Sequence, residues 1–188
     1  DLLSGDDDLA ALDEVLRAAG TLPGEGWRQR ISESEPRGAA EAFLGAIRGQ
    51  VYARANGTDG PYDLECDIGE LVPGLLEAAA QLNEGLTRLG QPLKVLRKSL
   101  IARLDDEADS LETPTRLRIE SMIRSLQNRG EDVVAAWRSM LESLASETPE
   151  RFVDWFSVQR FGGRDIDVGM HRHWLDPTLP FAEQVASP

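Results

Sequence analysis

The sequence predicts a mainly helical protein, an antiparallel helical bundle that is followed by a C-terminal β-hairpin. Up to Pro149, leucine and other apolar residues recur at three- and four-residue steps, which is the period of an amphipathic helix. After Pro149 the apolar residues alternate with polar ones on both sides of a Gly-Gly pair, as strands do around a tight turn. We therefore expect two units, a helical domain at 1–149 and a hairpin with its tail at 150–188.

The first two helices are predicted from about Asp6 to Ala19 and from about Pro36 to Ala55. Their apolar positions are, in chain order, Leu9, Leu12, Val15, Leu16, Phe43, Leu44, Ile47 and Val51. The segments 24–36 and 56–69 are rich in glycine, proline and acidic residues, so we expect loops there. Residues 62–68 alternate strictly enough to predict a short strand within the second loop.

Three longer apolar stripes complete the bundle. Leucines at 71–89 and at 93–111 form two of them, and Gly90-Gln91-Pro92 predicts a kink or a tight turn between the two. The longest stripe runs from Thr113 to about Ser146, with Thr113-Pro114 as a capped start and Thr148-Pro149 as a stop. Gly130 interrupts this stripe at a cost of about 1 kcal/mol relative to alanine, so we expect a bend or a break there.

The hairpin is apolar on both faces. One face carries Phe152, Phe156, Val158, Ile166, Val168, Met170 and Trp174, and the other carries Val153, Trp155 and Phe161. Strands that are apolar on both faces belong inside a layered sheet, and two strands alone are marginally stable in water. We therefore expect a hairpin that needs a further sheet, with an exposed edge that favours self-association.

Composition and charge restrict the partners. The net charge of −13 opposes nucleic acid over most of the surface, because phosphate binding needs lysine and arginine. The single cysteine, Cys66, can form neither an internal disulfide nor a four-cysteine metal site, which favours a reducing, cytoplasmic location. No apolar run approaches the ~18–20 residues of a membrane span, so we expect no membrane partner.

The hairpin carries the candidate contacts to DNA. Arg151, Arg160, Arg164 and Arg172 outnumber the three aspartates between residues 151 and 174, so any nucleic-acid contact is expected here. The alternative is that these arginines only balance the acidic rim of the hairpin.

A histidine pair is the weak candidate for a metal site. His171 and His173 lie two apart on a predicted strand, so both point to one face, and Asp165 and Asp167 are expected on that face too. A tetrahedral zinc site needs further ligands in fixed geometry, and Cys66 is far away in sequence. We therefore predict hydrogen-bonded histidines and no metal.

The string Asp106-Glu107-Ala108-Asp109 matches a motif that holds Mg²⁺ in helicase motors. Here it continues a helical leucine stripe, and the chain contains no G-x-x-x-x-G-K-[ST] phosphate loop. We therefore expect a solvated acidic helix end and no catalytic residue.

Three stretches carry a family resemblance: YDLE at 62–65, LDDEADSLET at 104–113, and above all FVDWFSVQRFGGRDIDVGMHRHWLDPTLPFAEQV at 152–185. With them the chain resembles a bacterial subgroup of DinG/XPD-type superfamily 2 DNA helicases. It is similar to the helical arch inserted into the first motor domain, together with the strands that lead back into that motor. In such proteins a Ser-Ala-Thr motif follows shortly after HRHWLDPT, and this sequence ends just short of it, at Ala186-Ser187-Pro188.

The resemblance implies an accessory, arch-like domain of an ATP-dependent 5′-to-3′ DNA helicase, which helps to enclose single-stranded DNA. The phosphate loop, the D-E-x-H carboxylates and the sixth motif of the family match no position here, so the chain itself is expected to be inert and to hold no cofactor. ATP and Mg²⁺ would bind to the rest of the motor, and whether the parent has an iron–sulfur cluster is left open. The alternative is a helical-bundle module that binds another protein.

Overall fold

In a computed structural model, residues 5–55, 60–146 and 148–180 are described. The order of helices and strands is α1 (Asp6–Ala19), α2 (Trp27–Ser32), α3 (Gly38–Arg54), β1 (Leu64–Asp67), α4 (Leu75–Asp106), α5 (Thr113–Ser125), a π-helical turn (Leu126–Glu131), α6 (Asp132–Ser143), β2 (Phe152–Phe161) and β3 (Arg164–Trp174). The fold is thus mainly helical with a small antiparallel sheet, as predicted. Of the segments predicted as loops, 24–36 contains the short helix α2, and 56–59 lies outside the described residues.

Helix α4 is the central helix and packs against α1, α3 and α6. It spans 32 residues without interruption and includes Pro92, so the tight turn predicted at Gly90-Gln91-Pro92 is wrong. Proline inside a helix costs about 3 kcal/mol, and burial offsets this cost here. Gly90, Pro92 and Leu93 are buried, and a Cβ at Gly90 would lie 3.4 Å from Val134 Cγ1 of α6. A Cβ there would lie at the lower limit of ordinary van der Waals contact, so α4 and α6 pack closely at this point, and this packing stabilises the continuous helix.

The predicted helix from Thr113 to about Ser146 is observed as three continuous parts, α5, the π-helical turn and α6. The irregularity expected near Gly130 is the π-helical turn itself. Gly130 faces α4, where a Cβ would lie 3.4 Å from Leu93 Cδ1. The start differs from the prediction in one detail: Glu112 occupies the N-cap position, and no side chain caps the helix.

The strands form one antiparallel sheet in the order β1-β2-β3. The predicted short strand is confirmed as β1, which pairs with the middle of β2 from Leu64↔Val158 to Asp67↔Trp155. Gly162 and Gly163 connect β2 to β3 with φ of 57° and 78°. Two left-handed residues in a row make the type I′ turn that suits a two-residue hairpin.

The hairpin and the helices share one hydrophobic core. Phe156 and Val158 of β2 are fully buried in the same cluster as Phe43, Ile47 and Val51 of α3. One face of the sheet is therefore covered by this chain's own helices. Our reasoning that the hairpin needs a sheet outside this chain for cover was wrong for that face.

A β-bulge changes which hairpin residues face the helices. The register shifts between Gln159 and Arg160, so that Gln159 pairs with Asp167 while Arg160 pairs with Asp165. Ile166 is the extra residue and is 42% exposed, although its place in the alternation predicted burial.

No helix within the described ranges is long and apolar enough to cross a membrane.

Candidate nucleic-acid interface

The four candidate arginines of the hairpin fall into two groups. Arg160 and Arg172 are largely buried and bound to carboxylates, with side chains 8% and 11% exposed. Arg151 and Arg164 are exposed. Sequence alone did not separate these groups, because it does not show the strand register that pairs Arg172 with Asp154 and Arg160 with Asp165.

Arg172 fastens the sheet to α6. Its Nε donates to Asp154 Oδ1 at 2.7 Å and its Nη2 to Asp154 Oδ2 at 2.6 Å. The Asp154 side chain is fully buried, and Arg172 Nη2 also donates to Ser143 Oγ of α6 at 2.8 Å. A buried carboxylate needs such a partner, so Arg172 is a structural residue.

Arg160 fastens the end of the hairpin to the loop before β1. Its Nη1 donates to the carbonyl oxygen of Gly60 at 2.5 Å, and its Nη2 donates to that of Gly163 at 3.0 Å. The backbone N–H of Arg160 donates to Asp63 Oδ1 at 2.6 Å. These bonds fix the Gly162-Gly163 turn beside the loop at 60–63.

Asp165 lies on the face opposite to the one we predicted. We expected it beside His171 and His173, but the bulge turns it toward α3. There Arg48 Nε donates to Asp165 Oδ2 at 2.7 Å and the Tyr52 hydroxyl donates to Oδ1 at 2.8 Å. Burial, and then the Asp165 carboxylate, raise the pKa of Tyr52. Asp165 therefore anchors the hairpin and is not a ligand on the histidine face.

The two histidines pack around Trp155 on the sheet face away from the helices. The His171 ring stacks on the indole with centroids 5.0 Å apart, and the His173 ring meets it edge-on at 4.8 Å. His171 Nε2 is hydrogen-bonded to Ser157 Oγ at 2.8 Å. No group of three potential metal ligands occurs among the described residues. The arrangement is an aromatic cluster in which one histidine is hydrogen-bonded.

The motif at 106–109 lies where α4 ends. Asp106 is the last helical residue, Glu107 follows as the C-cap, and Asp106 and Asp109 are exposed. Arg103 pairs with Glu107 at 3.2 Å. The predicted solvated acidic helix end is thus observed.

The remaining two arginines differ in their surroundings. The Arg151 guanidinium lies 5.1 Å from the ring centroid of Phe152 and 5.2 Å from that of Trp174, at the end of the hairpin away from the turn. Arg164 opens β3 directly after the turn and is paired in the sheet with Phe161.

The end of the hairpin at the turn combines two exposed aromatic rings with a cation. Phe161 is 78% exposed and Tyr62 is 79% exposed. Tyr62 belongs to the loop that Arg160 fastens beside the turn. We name Tyr62, Phe161 and Arg164 the tip surface. Tyr62 was not among the site residues predicted from the sequence, although an aromatic residue after Gly60-Pro61 in a polar loop is a signal for an exposed ring.

No protein-family model, no curated protein and no solved structure matches the chain. The helicase resemblance is therefore carried by the quoted residues alone.

Proposed function

We propose that the chain is an arch-like accessory domain of an ATP-dependent DNA helicase of the DinG/XPD type, and that its tip surface contacts single-stranded DNA. The observation that carries the contact is the pair of exposed aromatic rings beside Arg164 at the hairpin turn. ATP hydrolysis belongs to the rest of the parent protein, because the sequence has no phosphate loop.

The chemistry of the tip surface suits an unpaired strand. Proteins that bind single strands stack bases on aromatic side chains and hold the backbone with cations, and each stacked base contributes about 1–3 kcal/mol. A duplex would need a broad basic surface, which a chain of net charge −13 does not provide. A single strand can reach one small projecting surface without covering the acidic remainder.

The tip surface is also held in place before any strand binds. Arg160 ties the turn and the loop at 60–63 together through the carbonyl oxygens of Gly60 and Gly163. Binding to a preorganised surface loses less conformational entropy than binding to a mobile loop. The structural role of Arg160 thus supports the proposed role of Arg164.

The contact is tested by fluorescence anisotropy of a labelled oligothymidylate. Phe161→Ala/Arg164→Gln is expected to weaken binding about ten-fold, from one lost stacking contact and one lost phosphate contact. The matched control is Leu16→Ala/Arg17→Gln, which removes an exposed apolar residue and an exposed arginine from α1. Equal affinities for the two variants would contradict the proposed contact.

The helicase assignment has a separate test in the coding sequence on either side of residues 1–188. A phosphate loop upstream and Ser-Ala-Thr shortly after Pro188 would support it. An open reading frame limited to these 188 residues would contradict it.

The second candidate function is a helical-bundle module that binds another protein. It is favoured by an apolar groove of about 780 Å³ between the helices and β3, lined by Leu86, Leu89, Val133, Trp137 and other residues. In the sheet formed by the described residues β3 is an edge strand, and its residues 167–171 line this groove. An exposed strand edge favours pairing with a second copy. Sedimentation velocity tests this: Val133→Asp should abolish self-association, and a wild-type chain that stays monomeric at high concentration would contradict it.

A further inference from the structure

A polar groove of about 330 Å³ lies on the solvent side of the helical segment that joins α5 to the π-helical turn. It is lined by Ser121, Arg124, Ser125, Asn128 and Arg129. All five side chains are exposed, and none carries a carboxylate. The lining therefore presents hydrogen-bond donors and positive charge on a protein whose net charge is −13.

The lining residues follow the spacing of one helix face. Ser121, Arg124, Ser125, Asn128 and Arg129 stand at i, i+3, i+4, i+7 and i+8, the steps at which side chains share one side of a helix. Helix α5 ends at Ser125 and the π-helical turn spans Leu126–Glu131, so the groove lies where the two join. Such turns are frequent at functional sites.

Both guanidinium groups are available to a ligand. Within the described ranges, neither Arg124 nor Arg129 forms an ion pair, and two carboxylates that follow Arg129 in sequence have other partners. Glu131 pairs with Arg97 of α4, and Asp132 accepts from Gln127 Nε2 at 2.6 Å. The charge of Glu131 is therefore balanced by Arg97, and no carboxylate lines the groove itself.

We propose that this groove binds the phosphodiester backbone of a single-stranded nucleic acid. Guanidinium groups bind phosphate oxygens through paired hydrogen bonds, and serine hydroxyl and asparagine amide groups are common additional donors to the backbone. The lining holds no aromatic ring on which a base could stack. The groove is open on a helix surface, which suits a strand passing across it better than a small anion that must be enclosed. The identification of the strand as DNA rests on the proposed function. The evidence for the groove and for the phosphate chemistry of its ligand is independent of that function.

The test measures oligothymidylate affinity at several salt concentrations with the 188-residue chain. Arg124→Gln/Arg129→Gln removes two phosphate contacts. We expect affinity at low salt to fall on the order of ten-fold, and the slope of log affinity against log salt to flatten by about 1.4, at about 0.7 per contact. The control Arg17→Gln/Arg88→Gln removes the same charge from exposed positions of α1 and α4, and should leave the slope unchanged.

A second measurement identifies the ligand directly. NMR signals of the arginine Nε–H groups and of the Asn128 amide should move when oligothymidylate is added, and the Arg124→Gln/Arg129→Gln variant should lose the arginine signals that move. Signals that move only with pyrophosphate, or only with phosphatidylserine vesicles, would overturn the assignment to a nucleic-acid strand.

The outcomes separate this proposal from the proposed function. Loss of binding in Phe161→Ala/Arg164→Gln, with normal binding in Arg124→Gln/Arg129→Gln, would overturn the groove and leave the tip surface standing. The reverse result would support the groove and contradict the tip surface. A wild-type chain that binds no oligothymidylate at low salt would overturn both.

Discussion

Replacing Arg172 by methionine should destabilise the whole chain, because it leaves a buried carboxylate without its cation. The Asp154 side chain is fully buried, and two of its hydrogen bonds come from Arg172, at 2.7 and 2.6 Å. Among the described residues, Thr148 Oγ1, at 3.1 Å, would be the one donor left to it. Removing one partner of a buried pair costs about 3–5 kcal/mol. For a domain of this size, that lowers the melting temperature by about 6–20 °C.

Circular dichroism measures this change at two wavelengths. The far-UV signal of the helices and the near-UV signal, to which Trp155 and Trp174 of the hairpin contribute together with Trp27 and Trp137, should fall in one transition, because the sheet and the helices share one core. Asp154→Leu/Arg172→Met removes both charges and should recover most of the stability. An Arg172→Met protein that melts within about 2 °C of the wild type would refute the reasoning. A near-UV signal that is lost well before the far-UV signal would also refute it.

Three further predictions concern charge and reactivity. Hydrogen bonds from Arg30, and then from the Arg37 backbone, lower the pKa of Glu41 from 4.5 to about 2. The contribution of Glu41 to stability is therefore present above pH 4.5 and lost as the pH falls toward 2. The difference in melting temperature between the wild type and Glu41→Gln should shrink over that pH range, and a constant difference would contradict this. Burial raises the pKa of the Cys66 thiol, so Cys66 should react with iodoacetamide more slowly in the folded chain than in urea, and equal rates would count against its burial. The purified chain should not hydrolyse ATP, and turnover that is lost in Asp106→Ala would show that the motif at 106–109 is catalytic after all.

The helix boundaries were predictable where local signals and packing agree. Helix α1 spans the predicted Asp6–Ala19, with three aspartates in its first turn that favour a helix N-terminus. Pro92 shows the opposite case. Its local signal predicts a break, but the burial of Gly90 and Pro92 against neighbouring helices keeps α4 continuous. That contact joins Gly90 and Val134, which are 44 positions apart in sequence. A pattern of neighbouring residues therefore cannot predict it.

The candidate site was only partly predictable for the same reason. The sequence marks the hairpin, its turn and all four arginines, but it does not show that Arg172 is bound by Asp154 across the sheet. The bulge beside Arg160 has no glycine or proline to signal it, yet it turns Asp165 toward α3. The groove at Arg124 and Arg129 was also missed, although its lining residues recur at three- and four-residue steps along the predicted helix, because the polar face of an amphipathic helix is ordinarily just solvent-exposed.

The most direct test of the central claim maps where a single strand touches the chain. An oligothymidylate that carries photoreactive 4-thiothymine is irradiated with the protein, and the cross-linked peptides are identified by mass spectrometry. The proposed function predicts cross-links at Tyr62 and Phe161, the exposed rings of the tip surface, which high salt should suppress. Cross-links confined to peptides without these residues, or no cross-link at low salt, would contradict it.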